Sequence, residues 1–170
     1  ASSMPIRYVE FFWTRGRGHR LFSNRGANGI DGTLSTAMGI AHKGEDTFLL
    51  TGDLALLHDS NGLLIGPHLQ GSLTILLINN DGGGIFDTLS VSCFEPPFET
   101  LFAMPQKVDF SALARSCGAF YQLIGSEDGL RSAVRAVPRP GVRLLEIRTD
   151  RKKDATTLHS LLNHANRVVR

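Results

Sequence analysis

Two apolar runs that end in polar residues constrain the fold of this 170-residue chain most strongly. The run Thr47–Thr51 passes directly into Gly52 and Asp53, and the run Leu73–Asn79 passes directly into Asn80. Short runs of aliphatic and β-branched residues are typical of strands that are covered on both faces. The stretch between Asp53 and Asn80 is long enough for one helical crossover, so both residues are expected at the carboxyl edge of a parallel sheet, on neighbouring or nearby strands.

The rest of the chain continues this alternation of strand and helix patterns. Further strands are predicted at Phe120–Ile124 and Val142–Ile147, and helices are predicted at Gly32–His42, Leu54–Leu64, Phe110–Cys117, Ser126–Val137 and Asp154–Val169. The pattern predicts an α/β fold with an open, mainly parallel sheet and helices on both faces. The segment Ser90–Gln106 is unusually long for a connection, and it is either a binding loop or lid or a surface excursion without a role.

Composition narrows the class of protein. The length and a hydrophobic content of 42% suit one globular domain, residues 1–170. A net charge of +2, with dispersed Lys and Arg, gives no argument for nucleic acid. No apolar run is long enough to span a membrane. Cys93 and Cys117 lack the spacing of a zinc site and are interpreted as ordinary thiols of a reducing compartment.

The residues at the two strand ends predict a divalent metal site. Asp53 supplies a carboxylate and Asn80 an amide carbonyl, which are hard ligands that Mg²⁺ prefers beside phosphate oxygens. Glycines follow Asn80 closely, and they allow the main chain to approach a ligand, so the carbonyl of Gly82 is the candidate third ligand. Leu54 and Ala55 begin the predicted helix after Asp53, and their backbone N–H groups are candidate donors to a diphosphate.

A Gly-Asp pair at a strand end, followed some two dozen residues later by Asn-Asn, resembles the signature of thiamine diphosphate (ThDP) enzymes. Leu54 stands where many of these enzymes have another glycine. The stretches SNRGANGIDGT (residues 23–33), GDLALLHDSNGL and INNDGGGIF point further, because together they closely resemble the 2-succinyl-5-enolpyruvyl-6-hydroxy-3-cyclohexene-1-carboxylate (SEPHCHC) synthases, the MenD family. Leu after Gly-Asp is normal in that family, and the resemblance covers nearly the whole chain.

The resemblance implies an activity and a set of substrate-binding residues. SEPHCHC synthases are ThDP-dependent transferases (carboligases) that decarboxylate 2-oxoglutarate and join the product to isochorismate in a 1,4-addition, on the way to menaquinone or phylloquinone. Both substrates are polyanions, which Arg can grip bidentately. Ser3 and Arg7 in SSMPIR, and Arg25 in NRG, match family positions that contact substrate.

The same resemblance assigns apolar residues to the site. Ile30 matches the residue that wedges beneath the cofactor and holds its two rings in a bent shape, with Gly52 beside the diphosphate ligands. Ile85, Phe86 and Leu89 match an apolar wall near the substrates, although ordinary packing explains these three side chains equally well from sequence alone.

Part of the catalytic machinery is expected outside these residues. In ThDP enzymes a glutamate on a pyrimidine-binding domain activates the cofactor, and the resemblance covers a single diphosphate-binding domain, expected to be the C-terminal one of three. The chain is therefore expected to hold no catalytic residue of its own and to bind ThDP with Mg²⁺ (or Mn²⁺). The expected partner is the pyrimidine domain of a second subunit in a homodimer or homotetramer. A cytoplasmic location is expected, with a plastid as the alternative.

Two other readings stay open. The chain is alternatively a diphosphate-binding domain of another ThDP enzyme, such as a relative of acetolactate synthase or benzoylformate decarboxylase. The second alternative is a non-catalytic α/β module that binds phosphate. No Walker A or GxGxxG sequence follows a strand, which weakens this alternative.

Overall fold

The apolar runs form one four-stranded parallel sheet. The computed structural model describes residues 3–14, 18–26 and 29–168. Its strands are β1 (Asp46–Gly52), β2 (Ser72–Asn79), β3 (Phe120–Ile124) and β4 (Gly141–Arg148). They lie in the order β1-β2-β4-β3, and every pair is parallel. The four predicted strands and the parallel sheet are thus confirmed, with ends shifted by at most one residue.

Helices cover both faces of the sheet, as predicted. The α-helices are α1 (Met4–Phe12), α2 (Thr33–Ala41), α3 (Asp53–His58), α4 (Phe110–Ser116), α5 (Glu127–Arg135) and α6 (Arg151–Val168). The larger core joins α2, α3 and α4 to one face of the sheet, and it includes Leu34, Met38, Leu56, Leu73, Ile75, Leu77, Phe110 and Leu144. A smaller core packs α5 against the other face through Ala133, Leu145 and Ile124.

The predicted helix Leu54–Leu64 is wrong in its second half. Helix α3 ends at His58, and a 3₁₀-helix runs from Ser60 to His68. Asp59 interrupts the helix because its carboxylate accepts hydrogen bonds from the backbone N–H (2.7 Å) and the hydroxyl (2.8 Å) of Ser35 on α2. A tertiary contact therefore overrides the local helical pattern.

Helices outside the core were predicted less well. Helix α1 was not predicted, although Pro5 at its start is compatible with the first turn of a helix. Helix α6 begins three residues earlier than predicted, and Val169, the predicted last residue, lies outside the described part of the chain. The segment Ser90–Gln106 contains one 3₁₀-turn, Ser90–Cys93, and one π-helical turn, Glu99–Ala103. No helix in the described ranges is long and apolar enough to cross a bilayer.

Candidate functional site

The two predicted polar strand ends lie side by side. Strands β1 and β2 are adjacent, and Gly52 is paired in register with Ile78. Asp53 starts α3 directly after β1, and Asn80 follows β2, so both residues stand at the carboxyl edge of the sheet. Both are buried, with 6% and 7% of their surface exposed. The expected juxtaposition at this edge is therefore present.

Asp53 is a buried carboxylate at the start of α3. Its Oδ2 accepts a hydrogen bond of 2.7 Å from the backbone N–H of Gly82. Burial raises the pKa of Asp53, and hydrogen bonds from the backbone N–H groups of Gly82, Leu54 and Asp53 itself offset that rise only in part. Among the described residues, no Lys, Arg or His lies within ion-pair distance of this carboxylate. A cation bound here would relieve the cost of burying the charge.

The glycines after Asn80 are required by close contacts. Gly82 has φ 130°, a value that side-chain-bearing residues rarely adopt, and a Cβ at this position would overlap the carbonyl of Ala103. A Cβ on Gly83 would lie 2.6 Å from the carbonyl oxygen of Phe102, and one on Gly84 would overlap the Asn80 amide. The Gly82 carbonyl accepts a hydrogen bond of 2.9 Å from the Gly84 N–H. Its second lone pair is available to a ligand.

A cavity of about 310 Å³ opens beside these residues. Of the residues predicted to form the site, Ser3, Ile30, Gly52, Asp53, Leu54, Ala55, Asn80, Gly82, Ile85 and Phe86 line it. The structure thus brings together residues from the start of α1, from both strand ends and from the glycine loop, residues 82–84. Their individual roles stay predictions.

Three predicted residues do not line this cavity. Arg7 is half-buried on α1, where its Nη1 donates a hydrogen bond of 2.9 Å to the Ser3 carbonyl. Arg25 is exposed, and Ala27 and Asn28 of the same motif lie outside the described residues. Leu89 is 49% exposed. These positions supply no contact to the cavity in this structure.

Nine cavity residues were not predicted to form the site. They are Met4, Pro5, Tyr8, Ile78, Gly83, Gly84, Leu101, Phe102 and Met104. The last three belong to the segment Ser90–Gln106, whose length suggested a binding loop without indicating which side chains take part. The rings of Phe86 and Phe102 pack edge to face, with centroids 5.6 Å apart, so this segment and the glycine loop form one wall.

A second cavity, of about 330 Å³, adjoins the first. Asp53 and Leu54 line both cavities, and the second one is more polar, with Asn79, Asp81 and Arg148 among its lining residues. Asp53 therefore borders both cavities.

A second buried carboxylate lies close by on β4. Glu146 is 1% exposed and accepts hydrogen bonds from Tyr121 Oη (2.6 Å), Asn79 Nδ2 (2.8 Å) and Arg148 Nε (2.7 Å). Asn79 Oδ1 in turn accepts a hydrogen bond of 3.3 Å from the Asp81 N–H. This network supports the loop that leads from β2 to the glycines.

The donor set at the strand ends fits a hard divalent cation. It combines a desolvated carboxylate, an amide and a backbone carbonyl, and all three belong to residues that line the cavity. No cluster of three or more His, Cys, Asp and Glu suited to a metal occurs in the described part of the chain. The metal site predicted here is not such a cluster, because Asp53 is its single ligand of these four residue types.

The sequence of this chain matches a known protein family and several named relatives. Residues 3–147 match the family described as "Thiamine pyrophosphate enzyme, C-terminal TPP binding domain", where thiamine pyrophosphate (TPP) is another name for ThDP. The SEPHCHC synthase of Thermosynechococcus vestitus is 54% identical over 165 residues, which are 96% of this chain and 29% of that protein. The SEPHCHC synthase of Synechocystis sp. is 53% identical over 163 residues, 95% of this chain and 27% of that protein. The chain thus spans less than a third of the length of these relatives.

Solved structures show the same fold at low sequence identity. Benzoylformate decarboxylase from Polynucleobacter necessarius is 18% identical with a TM-score of 0.59, over 69% of this chain and 23% of that one. A 4-hydroxybenzoylformate decarboxylase from Rhodococcus jostii is 22% identical with a TM-score of 0.56, at the same coverage. The match over residues 3–147, together with the strand-end site, shows that this chain belongs to the family of C-terminal, TPP-binding domains of thiamine pyrophosphate enzymes.

Proposed function

We propose that this chain is the diphosphate- and metal-binding domain of a SEPHCHC synthase, the transferase that joins decarboxylated 2-oxoglutarate to isochorismate. Identities of 51–54% to proteins of that name over nearly the whole chain support the assignment. Each of the three motifs that carry the resemblance contributes residues to the cavity lining.

The single observation that carries the proposal is the Asp53 carboxylate, buried at a strand end without a cationic partner among the described residues. We infer that Asp53, the Asn80 side chain and the Gly82 carbonyl hold Mg²⁺, or Mn²⁺ in its place, together with two diphosphate oxygens. The N–H groups of Leu54 and Ala55 at the start of α3 are the proposed diphosphate donors. The Leu54 N–H contacts the Asp53 carboxylate in this structure, so it exchanges that contact for a phosphate oxygen on binding.

The remaining residues have proposed roles in orientation. When bound, ThDP supplies the electron-accepting ring at which a 2-oxo acid loses carbon dioxide. Ile30 supports the cofactor from below, and Ile85 and Phe86, with Leu89 further out, form the apolar side that excludes water. Ser3 hydrogen-bonds a substrate carboxylate.

Arg7 and Arg25 have proposed roles as carboxylate grips, since guanidinium groups bind carboxylates bidentately. Neither lines the cavity, so each reaches substrate only through a change of its side-chain conformation. Arg7 gives up its bond to the Ser3 carbonyl in doing so.

The proposal places catalysis at a junction with another domain. The activating glutamate is assigned to a pyrimidine-binding domain of a partner subunit, and no residue of this chain takes that role. The full enzyme is then a three-domain homodimer or homotetramer. The free thiols of Cys93 and Cys117 suit a reducing compartment such as the cytoplasm.

Calorimetric titration of ThDP in the presence and absence of Mg²⁺ tests the site. We expect heat only with Mg²⁺, and its loss in Asp53→Asn. Asp46→Asn is the matched control, because Asp46 lies at the opposite end of β1, where it accepts a hydrogen bond of 2.6 Å from Ser72. Binding that survives without the metal, or in Asp53→Asn, contradicts the assignment.

A substrate test separates the proposed enzyme from other ThDP enzymes. The protein that carries this chain together with a pyrimidine-binding domain is supplied with 2-oxoglutarate and isochorismate, or with pyruvate or benzoylformate. Carbon dioxide release that depends on isochorismate and 2-oxoglutarate supports the proposal. Turnover of pyruvate or benzoylformate alone assigns the chain to another branch of the family.

A further inference from the structure

One side of the cavity is built from a segment with little regular structure. This wall segment, residues 82–104, contributes Ile85, Phe86, Leu101, Phe102 and Met104 to the lining. It contains only short 3₁₀- and π-helical turns, and the Gly83 N–H donates a hydrogen bond of 2.7 Å to the Ala103 carbonyl to bring its two ends together. Such a segment needs contacts to a rigid element if it is to keep one conformation.

Arg151 supplies those contacts from the first turn of α6. Its Nη1 lies 2.8 and 2.9 Å from the two carboxylate oxygens of Asp87, and its Nη2 donates to Glu99. The guanidinium also lies 5.9 Å from the ring centroid of Phe98, a side chain that is 1% exposed. One side chain thus contacts the wall segment at both of its halves.

The Arg151–Asp87 pair is shielded from solvent, which makes it more than a surface ion pair. The side chains of Arg151 and Asp87 are 11% and 7% exposed. The hydrogen bond from Arg151, followed by that from Lys152, lowers the pKa of Glu99. Loss of the guanidinium leaves Asp87 buried without its cation, which is strongly unfavourable, whereas Glu99 keeps its ion pair with Lys152.

Arg151 also lies against the loop that carries the proposed metal ligands. It follows β4 closely in the chain, at the same carboxyl edge of the sheet as Asn80. A Cβ on Gly84 would lie 3.2 Å from the Cβ of Arg151, so the main chain of the glycine loop contacts this residue directly. Arg151 therefore connects the wall segment to the sheet.

We propose that Arg151 is a positioning residue that fixes the wall segment and thereby sets the affinity of the cavity for Mg²⁺–ThDP. The ThDP part of this inference rests on the proposed function. Arg151 does not line the cavity, so its effect passes through Phe98, Asp87 and Glu99 to the apolar residues that do.

Hydrogen exchange and calorimetry on Arg151→Met, Arg151→Lys and Asp87→Asn test this role. We expect faster amide exchange in peptides from residues 84–104, with little change in those from β1 and β2, and Mg²⁺–ThDP binding weakened by about tenfold. In Arg151→Lys we expect smaller changes in exchange and affinity than in Arg151→Met. The ammonium keeps the positive charge, but it cannot bind Asp87 and Glu99 together as the planar guanidinium does. If Arg151→Met does not fold, Asp87→Asn provides the same comparison.

Arg131→Met is the matched control, since Arg131 pairs with Glu127 on the exposed surface of α5. It should leave both measurements unchanged. Unchanged exchange in residues 84–104 of Arg151→Met overturns the proposal, as does a loosened wall with unchanged Mg²⁺–ThDP affinity. If the wild-type protein binds no Mg²⁺–ThDP even with a pyrimidine-binding domain present, the proposed function fails, and the exchange data alone decide whether Arg151 fixes the wall.

Discussion

Asp53 and Glu146 are two buried carboxylates near the same edge of the sheet, and their surroundings differ. Glu146 has Arg148, Tyr121 and Asn79 as hydrogen-bond donors. Burial raises its pKa, but these donors outweigh burial and bring the pKa below the ordinary value. For Asp53 burial is the largest effect and its backbone donors do not compensate, so the pKa is raised.

The difference separates a carboxylate that stabilises the fold from one that awaits a ligand. A structural carboxylate in a protein interior is accompanied by its own cation and donors, as Glu146 is. Asp53 is buried without a cation among the described residues, and it lines two cavities. A titratable group with a perturbed pKa that borders a cavity is a candidate for a functional site.

The largest expected effect comes from Asp53→Asn, which separates binding from stability. A ligand present at 100 times its Kd raises the free energy of unfolding by about 2.7 kcal/mol. We expect Mg²⁺–ThDP to produce this gain in the wild-type protein and none in the variant. Without ligand the variant should be as stable as the wild type or slightly more so, because Asn still accepts a bond from Gly82 and removes a desolvated charge. Thermal unfolding with and without ligand measures both quantities, and a strongly destabilised apo variant would falsify the comparison.

Glu146→Gln should show the opposite behaviour. At pH 7 we expect the free energy of unfolding to fall by about 1–3 kcal/mol, because a buried charge-assisted network is broken. The folded pKa of Glu146 is lowered, so its stabilising contribution is present above its ordinary pKa and is lost as the pH falls through the folded value. Urea unfolding at several pH values should therefore show the wild type and Glu146→Gln converging in acid. A constant difference down to low pH contradicts this assignment.

Gly84→Ala tests how tightly the proposed ligand Asn80 is held. A methyl group at this position overlaps the Asn80 amide and lies 3.2 Å from Arg151 Cβ. Asn80 has to move, and we expect the Mg²⁺-dependent affinity for ThDP to fall by about tenfold, or about 1.4 kcal/mol. Gly125→Ala is the control, because a Cβ there has no neighbour within 4 Å. Equal affinities in the two variants would show that Asn80 does not hold the metal.

The strand ends could be predicted from the sequence because their signal is local. Each apolar run leads directly into its polar residues, and the parallel order of the strands places both at one edge. The neighbours of Glu146 could not be predicted in this way. Asn79 and Glu146 meet only because β2 pairs with β4 across 67 positions of sequence, and no local pattern specifies that pairing.

The wrong and missing predictions also arise from contacts between residues that lie far apart in the sequence. The predicted helix after Asp53 ends early because Asp59 bonds to Ser35, a residue of another helix. The contributions of Leu101 and Phe102 to the cavity depend on an irregular segment, whose course is set by its contacts with Arg151 rather than by periodicity. Arg7 and Arg25 were predicted from resemblance alone, and neither lines the cavity.

The smallest expected effect concerns Tyr121, which reports on Glu146 directly. Burial, followed by the hydrogen bond and the charge of Glu146, raises the pKa of Tyr121 to about 12. The chain has two tyrosines, and the pKa of Tyr8 is also raised, so Tyr8→Phe isolates the Tyr121 signal in an ultraviolet titration. Adding Glu146→Gln should lower the Tyr121 pKa part of the way toward 10, because the negative acceptor is gone while burial remains. Since the neutral phenol is the form favoured by the fold, its contribution to stability is complete below pH 10 and is lost as the pH rises toward 12. A Tyr121 that ionises near pH 10 in Tyr8→Phe would mean that its bond to Glu146 is not formed in solution, and the contrast between the two carboxylates would then rest on Arg148 and Asn79 alone.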